Sequence, residues 1–188
     1  MAEDSETKFE KSGKGHHYKD NNFFIFGEIN EEFNDIILPP FIESVLANLE
    51  LKKPEPINLY IKTYGGDKDM AWEMISWIEK AKKNKCPIDT YVNSHIASAG
   101  SLIAVCGSTR YVSQRASHLL HYSAGETYSN NPELSKRQLE ADIFTQNELV
   151  RIYAENTRLT DIPNKLKHDF YILGGKNLIK YGLADIIL

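Results

Sequence analysis

Three short stretches carry residues whose types and spacing could do chemistry together. "NSHIASAGSLIAVCGS", residues 93 to 108, sets a hydroxyl at Ser98 among Ala97, Ala99 and Gly100, where the chain turns from strand into helix. Such a serine is either a helix N-cap accepting from an early N–H or a nucleophile on a sharp strand-to-helix turn, with the N–H of the following residue aimed at an oxyanion. The local sequence leaves both readings open. "IKTYGGDKD" follows the strand "INLY" and opens a helix; Gly65 and Gly66 allow a tight turn whose backbone N–H groups could face an anion, although a Gly-Gly pair alone also reads as a plain turn. In "ASHLLHYS", if the run is a strand, His118 and His121 point to opposite faces. They cannot share a metal, and only one can face a site, where it would act as a base in company with Ser98 and a carboxylate.

The elements that must hold these residues alternate along the chain. Short β-rich runs ("FFIFGEI", "INLYIKT", "IDTYVN") are interleaved with helical patterns ("PPFIESVLANLEL", "DKDMAWEMISWIEKAKK", "SAGSLIAVCGS"). That order predicts an α/β fold with a parallel sheet, helix-covered and entered by right-handed crossovers. Met70, Met74, Ile78 and Ala81 recur at three- and four-residue steps and form a buried stripe. Residues 133 to 156 give the longest helical pattern. Its Leu139, Ile143, Phe144, Val150 and Tyr153 spread more widely than one buried stripe needs, so the helix is expected to bury a second side against another subunit.

Composition narrows the function. The chain has 188 residues, 41% hydrophobic, with no composition break, which predicts one domain over residues 21–188 behind a flexible polar tail, 1–20. His16 and His17 in that tail are expected to be solvated rather than metal ligands. A net charge of −4 with acids and bases mixed throughout leaves no basic stripe for nucleic acid. No window approaches the roughly 20 apolar residues of a membrane span, and the N-terminus lacks a signal-peptide core, so a soluble, cytoplasmic protein is expected. Cys86 and Cys106 lack metal-ligand spacing and read as core thiols in a reducing compartment. No metal and no cofactor are expected.

Taken together and in order, "IKTYGG", "SHIASAGSL", "HLLHYSAGE" and the C-terminal "KYGLADIIL" resemble the Clp protease proteolytic subunit family, ClpP, over roughly residues 23 to 188. The resemblance implies the ClpP/crotonase-like fold of stacked β-β-α units with a protruding handle of one strand and one long helix. It implies a serine endopeptidase with Ser98 as nucleophile, His121 as base, and Gly65 and Ala99 as oxyanion donors. Gly66 and the handle residues Gly125, Glu126 and Thr127 would bind extended peptide. For the acid, a gap before "DFYI" brings Asp169 to the family's position, as in shorter phage and prophage relatives. Asp161, just before Pro163, reads instead as an N-cap, and Asp185 as structural. The chain departs from the family where Tyr64 replaces the usual proline before Gly-Gly and Ser94 the usual glycine before the serine. These departures mark a divergent member, with a phage origin open.

The implied partners are a polypeptide substrate, further copies of this chain in two stacked heptameric rings, and an AAA+ unfoldase. Four other readings share parts of the pattern. A crotonase-type acyl-CoA enzyme would use the βαβ units and oxyanion turn without needing Ser98 and His121 together. A Ser/Lys peptidase would need a placed lysine, for which Lys62 and Lys68 are the candidates. A structural subunit would keep the fold and lose part of the triad. A prohead protease would act on capsid proteins through the same site.

Overall fold

The computed structural model of the protein describes residues 15–122 and 130–188. The chain enters through β1 (His17–Lys19) and turns back through Asp20 and Asn21 into β2 (Asn22–Phe26). Then follow α1 (Glu31–Ile36), α2 (Leu38–Leu49), β3 (Ile57–Lys62), α3 (Lys68–Lys83) and β4 (Ile88–Val92). A short strand, β5 (His95–Ala97), runs directly into α4 (Ala99–Val105), and β6 (Thr109–Val112) and β7 (Ser117–Leu120) come next. The remainder is the long α5 (Pro132–Asn156), α6 (Ile162–Lys167), β8 (Phe170–Leu173), α7 (Gly175–Lys180) and β9 (Ile186–Ile187).

These elements build a mixed α/β molecule with two sheets. The larger has the order β1-β2-β3-β4-β6-β9, parallel from β2 onward with β1 antiparallel at its edge. The smaller has the order β5-β7-β8, with β7 parallel to β5 and antiparallel to β8. The single parallel sheet expected from the alternation is therefore divided. The break comes at Asn93 and Ser94, after which β5 leaves the large sheet and pairs with β7 instead.

One face of the large sheet is the core. Phe23, Ile25, Ile57, Leu59, Ile61, Ile88 and Val92 alternate into it and meet Phe33, Phe41, Met74, Ile78 and Ala81 from the helices. Of the stripe read on α3, Met70 is only partly buried, while Ala71 and Ile75 join the core. The opposite face carries an aromatic row in register: Phe24, Tyr60, Tyr91 and Tyr111 stack pairwise at 4.8, 4.7 and 4.6 Å between ring centroids. Parallel sheets normally have both faces covered, so a half-buried aromatic row on the second face is unusual for a chain on its own.

Local signals explain the helix starts. Asp67 accepts from Asp69 N and Met70 N to cap α3, and Asn131 accepts from Glu133 N and Leu134 N ahead of Pro132 in α5. Asp161 precedes α6 as expected but is no side-chain cap; its backbone is left-handed (φ 52°) and its carboxylate makes no capping bond. The polar tail was expected to run to residue 20, yet residues 15–20 are held. Antiparallel pairing with β2 orders β1, and His16 is buried edge-on against Phe33, its Nε2 within 2.8 Å of Glu28 O. His17 stacks on Phe24 at 4.4 Å. Residues 1–14 lie outside the described set. The thiols of Cys86 and Cys106 are buried, and burial pushes that of Cys106 up to about 12. Among the described residues no helix is long and apolar enough to cross a membrane.

In α5, Leu149, Ile152 and Tyr153 are buried, whereas Leu134, Leu139, Ile143 and Phe144 stand exposed on the N-terminal half. The apolar residues beyond the buried stripe are thus exposed and concentrated in that half.

Candidate active site

Ser98 occupies the junction of β5 and α4, at φ 53° and ψ −126°, a backbone region that L-residues rarely adopt. It stands at the N-cap position, yet its hydroxyl makes no capping hydrogen bond. The hydroxyl is thus free of the structural duty that would otherwise explain a serine there. The backbone is over-determined around it: Ser98 N donates to Leu119 O (3.0 Å), Ala97 N donates to Thr63 O (3.1 Å), and Leu102 N donates to Ser98 O (3.1 Å).

The Gly-Gly turn lies against this junction. A Cβ on Gly65 would stand 2.7 Å from Ser98 Cβ and 3.1 Å from both Ser98 Oγ and Ala99 N, and Gly65 has φ +105°. Only glycine brings the backbone this close to the hydroxyl. A Cβ on Gly100 would collide with Thr63 Cγ2, and one on Gly66 with the Ile29 carbonyl. The small residues around Ser98 are therefore the consequence of two backbones, the end of β3 and the start of α4, packed in contact.

Of the two expected oxyanion donors, Ala99 N–H is the first of α4 and has no intrahelical acceptor. Gly65 N–H instead donates to Thr63 Oγ1 at 3.0 Å, while Thr63 Oγ1 donates to Gly65 O at 3.3 Å. In this arrangement Gly65 N–H is engaged and would have to leave Thr63 to serve an oxyanion. Gly66 N–H has no acceptor among the described residues. Thr63, buried at the end of β3, was not singled out by sequence; its only signal is its place two residues before the first glycine.

The two histidines separate as the strand period requires. His118 turns into the core between Ile96 of β5 and Ile172 of β8. Neither ring nitrogen has a partner among the described residues, and burial, with His95 and Arg110 adding to it, holds its pKa down at about 3. His121 follows β7 on the alternate face and is half-buried. The backbone near it is tied down on both sides, two residues before it and one after. Leu119 O receives Ser98 N and Ser101 Oγ (3.2 Å), and Tyr122 N donates to Leu166 O (3.1 Å).

The β7–β8 register bears on the carboxylate. β7 and β8 pair Ser117↔Leu173, His118↔Ile172, Leu119↔Tyr171 and Leu120↔Phe170. The ladder ends there; counted one step past it, His121 falls level with Asp169, while on the other side of β7 the last pair, Ala97↔Leu119, is followed directly by Ser98. Ser98, His121 and Asp169 thus each directly flank a strand at one end of the small sheet. Asp169 is exposed, with left-handed backbone (φ 49°) that aspartate tolerates. Among the described residues no hydrogen bond links the three side chains; such bonds are often long before substrate binds. Asp185 is committed elsewhere, 2.7 Å from Arg110, whose hydrogen bonds hold its carboxyl below the usual range. Arg110 also reaches Asn156 O and Gly182 O. Gly125, Glu126 and Thr127 lie outside the described residues, and no cluster of three metal-ligating side chains occurs among those described.

A sequence model of the family described as Clp protease matches residues 10–188. Among curated proteins, the chain is 27% identical over 167 residues to the ATP-dependent Clp protease proteolytic subunit 2 of Treponema denticola, covering 86% of this chain and 78% of that protein.

Proposed function

The chain belongs to the Clp protease family, and on that premise we propose that it is a serine endopeptidase that cleaves extended polypeptides through Ser98, His121 and Asp169. His121 takes the Ser98 proton as Oγ attacks the peptide carbonyl, and returns it to the leaving amine. Asp169 orients the imidazole and stabilises its charged form. Ala99 N–H receives the oxyanion, joined by Gly65 N–H once that group turns from Thr63 Oγ1. Gly66, with Gly125, Glu126 and Thr127, binds the substrate backbone by strand addition.

The observation that carries the reading is the Ser98 hydroxyl, held on a strained backbone against Gly65 and not used as a cap. Strained, unpaired groups of this kind concentrate at functional sites.

Assembly into two stacked rings is part of the proposal. Two apolar surfaces that no described helix covers support it, the aromatic row on the second face of the large sheet and the exposed half of α5. The chamber so formed would receive polypeptide from an AAA+ unfoldase in the cytoplasm. Treatment with a fluorophosphonate probe, followed by peptide mapping, tests the chemistry. Label is expected on Ser98 and none on the Ser98→Ala protein, whose turnover of a fluorogenic peptide should fall by several orders of magnitude. Label on another residue, or near-normal turnover by Ser98→Ala, overturns the mechanism.

A further inference from the structure

Three rings lie side by side on the face of the small sheet that leads to Ser98, His121 and Asp169. Tyr64 meets His95 at 5.5 Å between centroids, and His95 meets Tyr171 at 6.4 Å. His95 is fixed by its Nδ1, 2.8 Å from Ser117 Oγ across the β5–β7 pair. Tyr64 is 76% exposed, Tyr171 55%, and Leu173, next on the same face of β8, 62%. Behind Tyr64 and His95 opens a cleft of about 960 Å³ that runs from Gly65 and Gly66 to His17 and Phe26.

This surface is continuous with the site. Tyr64 directly precedes the glycine packed on Ser98, and Tyr171 lies two residues from Asp169, across from Leu119, whose carbonyl holds Ser98 N. His95 precedes Ser98 by three residues of mostly extended chain, a span of about 10 Å at roughly 3.3 Å per residue, and an extended substrate covers it in about three residues. A second copy of the chain seated here would close the approach to Ser98, whereas a substrate side chain would fill the row while its backbone passes the hydroxyl.

We propose that the Tyr64–His95–Tyr171 row and the cleft behind it form a specificity subsite for an aromatic or large aliphatic side chain of the polypeptide substrate, about three residues from the cleaved bond. This rests on the peptidase reading above. Ring–ring packing favours such a side chain, while a small polar one leaves the row in water.

The test uses the full chain and quenched fluorescent peptides carrying a single Phe or Ser at each position on either side of the bond, with the cleaved bond located by mass spectrometry. The wild type is expected to prefer Phe about tenfold in kcat/KM at one position about three residues from that bond, and Tyr64→Ser/Tyr171→Ser to lose the preference there while Ser98 still takes the fluorophosphonate. An unchanged preference in the variant, or none in the wild type, overturns the subsite. So does a preference lost together with a change in assembly mass by sedimentation, which would make the face a subunit contact. Absence of label on wild-type Ser98 overturns the peptidase reading and the subsite with it, and is distinguished from the other outcomes by that label alone.

Discussion

Replacing Gly65 by alanine tests the claim that the turn exists to bring backbone against the Ser98 hydroxyl. The added Cβ would stand 2.7 Å from Ser98 Cβ and 3.1 Å from Ser98 Oγ and Ala99 N, at φ +105°. Carbon atoms normally approach to about 3.5–4.0 Å, so the two backbones must part by roughly 1 Å. A misplacement of that size at a reacting centre costs about 10²-fold in rate. Left-handed backbone for a residue with a Cβ costs about 1–2 kcal/mol, and overpacking about 1–3 kcal/mol more. Gly174→Ala separates these effects, because Gly174 also has positive φ (+82°) but its Cβ would meet only Gln114 O, at an ordinary 3.6 Å. Denaturant unfolding and the second-order rate of fluorophosphonate labelling at Ser98 would be measured on both variants. Both should lose stability, and Gly65→Ala alone should label about 10²-fold more slowly. Wild-type labelling by a folded Gly65→Ala protein would refute the packing argument.

Asp169→Asn should lower peptide turnover by roughly 10⁴-fold, the loss seen in a well-studied triad, with assembly unchanged and Asp161→Asn neutral; steady-state kinetics checks this, and the reverse pattern would move the acid to Asp161. His118 has a folded pKa near 3 against about 6.5 unfolded, so between those values the unfolded chain binds the extra proton. Stability from this group is present above about pH 6.5 and is lost as pH falls toward 3, by up to about 1.4 kcal/mol per pH unit; His118→Leu should flatten that slope in denaturant titrations at pH 7 and pH 4.5, and an unchanged slope counts against it. Ile143→Ser/Phe144→Ser removes two exposed apolar side chains of α5, and sedimentation should show a smaller assembly, while an unaltered particle would exclude that surface as a contact.

The amino-acid sequence was sufficient for the features that depend on short-range pattern. The strand-turn-helix around Ser98, the Gly-Gly turn, the Asp67 start of α3 and the opposite facing of His118 and His121 all follow from residue type and local period. What it could not decide was settled by pairing between distant segments. Whether Ser98 caps its helix depends on a backbone torsion imposed by Thr63, Leu119 and Gly65, which arrive from other strands. His16 and residues 17–19 looked like tail because what holds them, packing of His16 on Phe33 and pairing of β1 with β2, comes from other segments rather than from their own composition. From the sequence, Asp169 is placed as the acid only through the resemblance, since nothing in its own surroundings pairs it with His121; the antiparallel register of β7 and β8, counted one step past Leu120↔Phe170, is what puts it level with His121. Strand register is a property of two segments at once, and a linear pattern in either one constrains it only to the nearest even step.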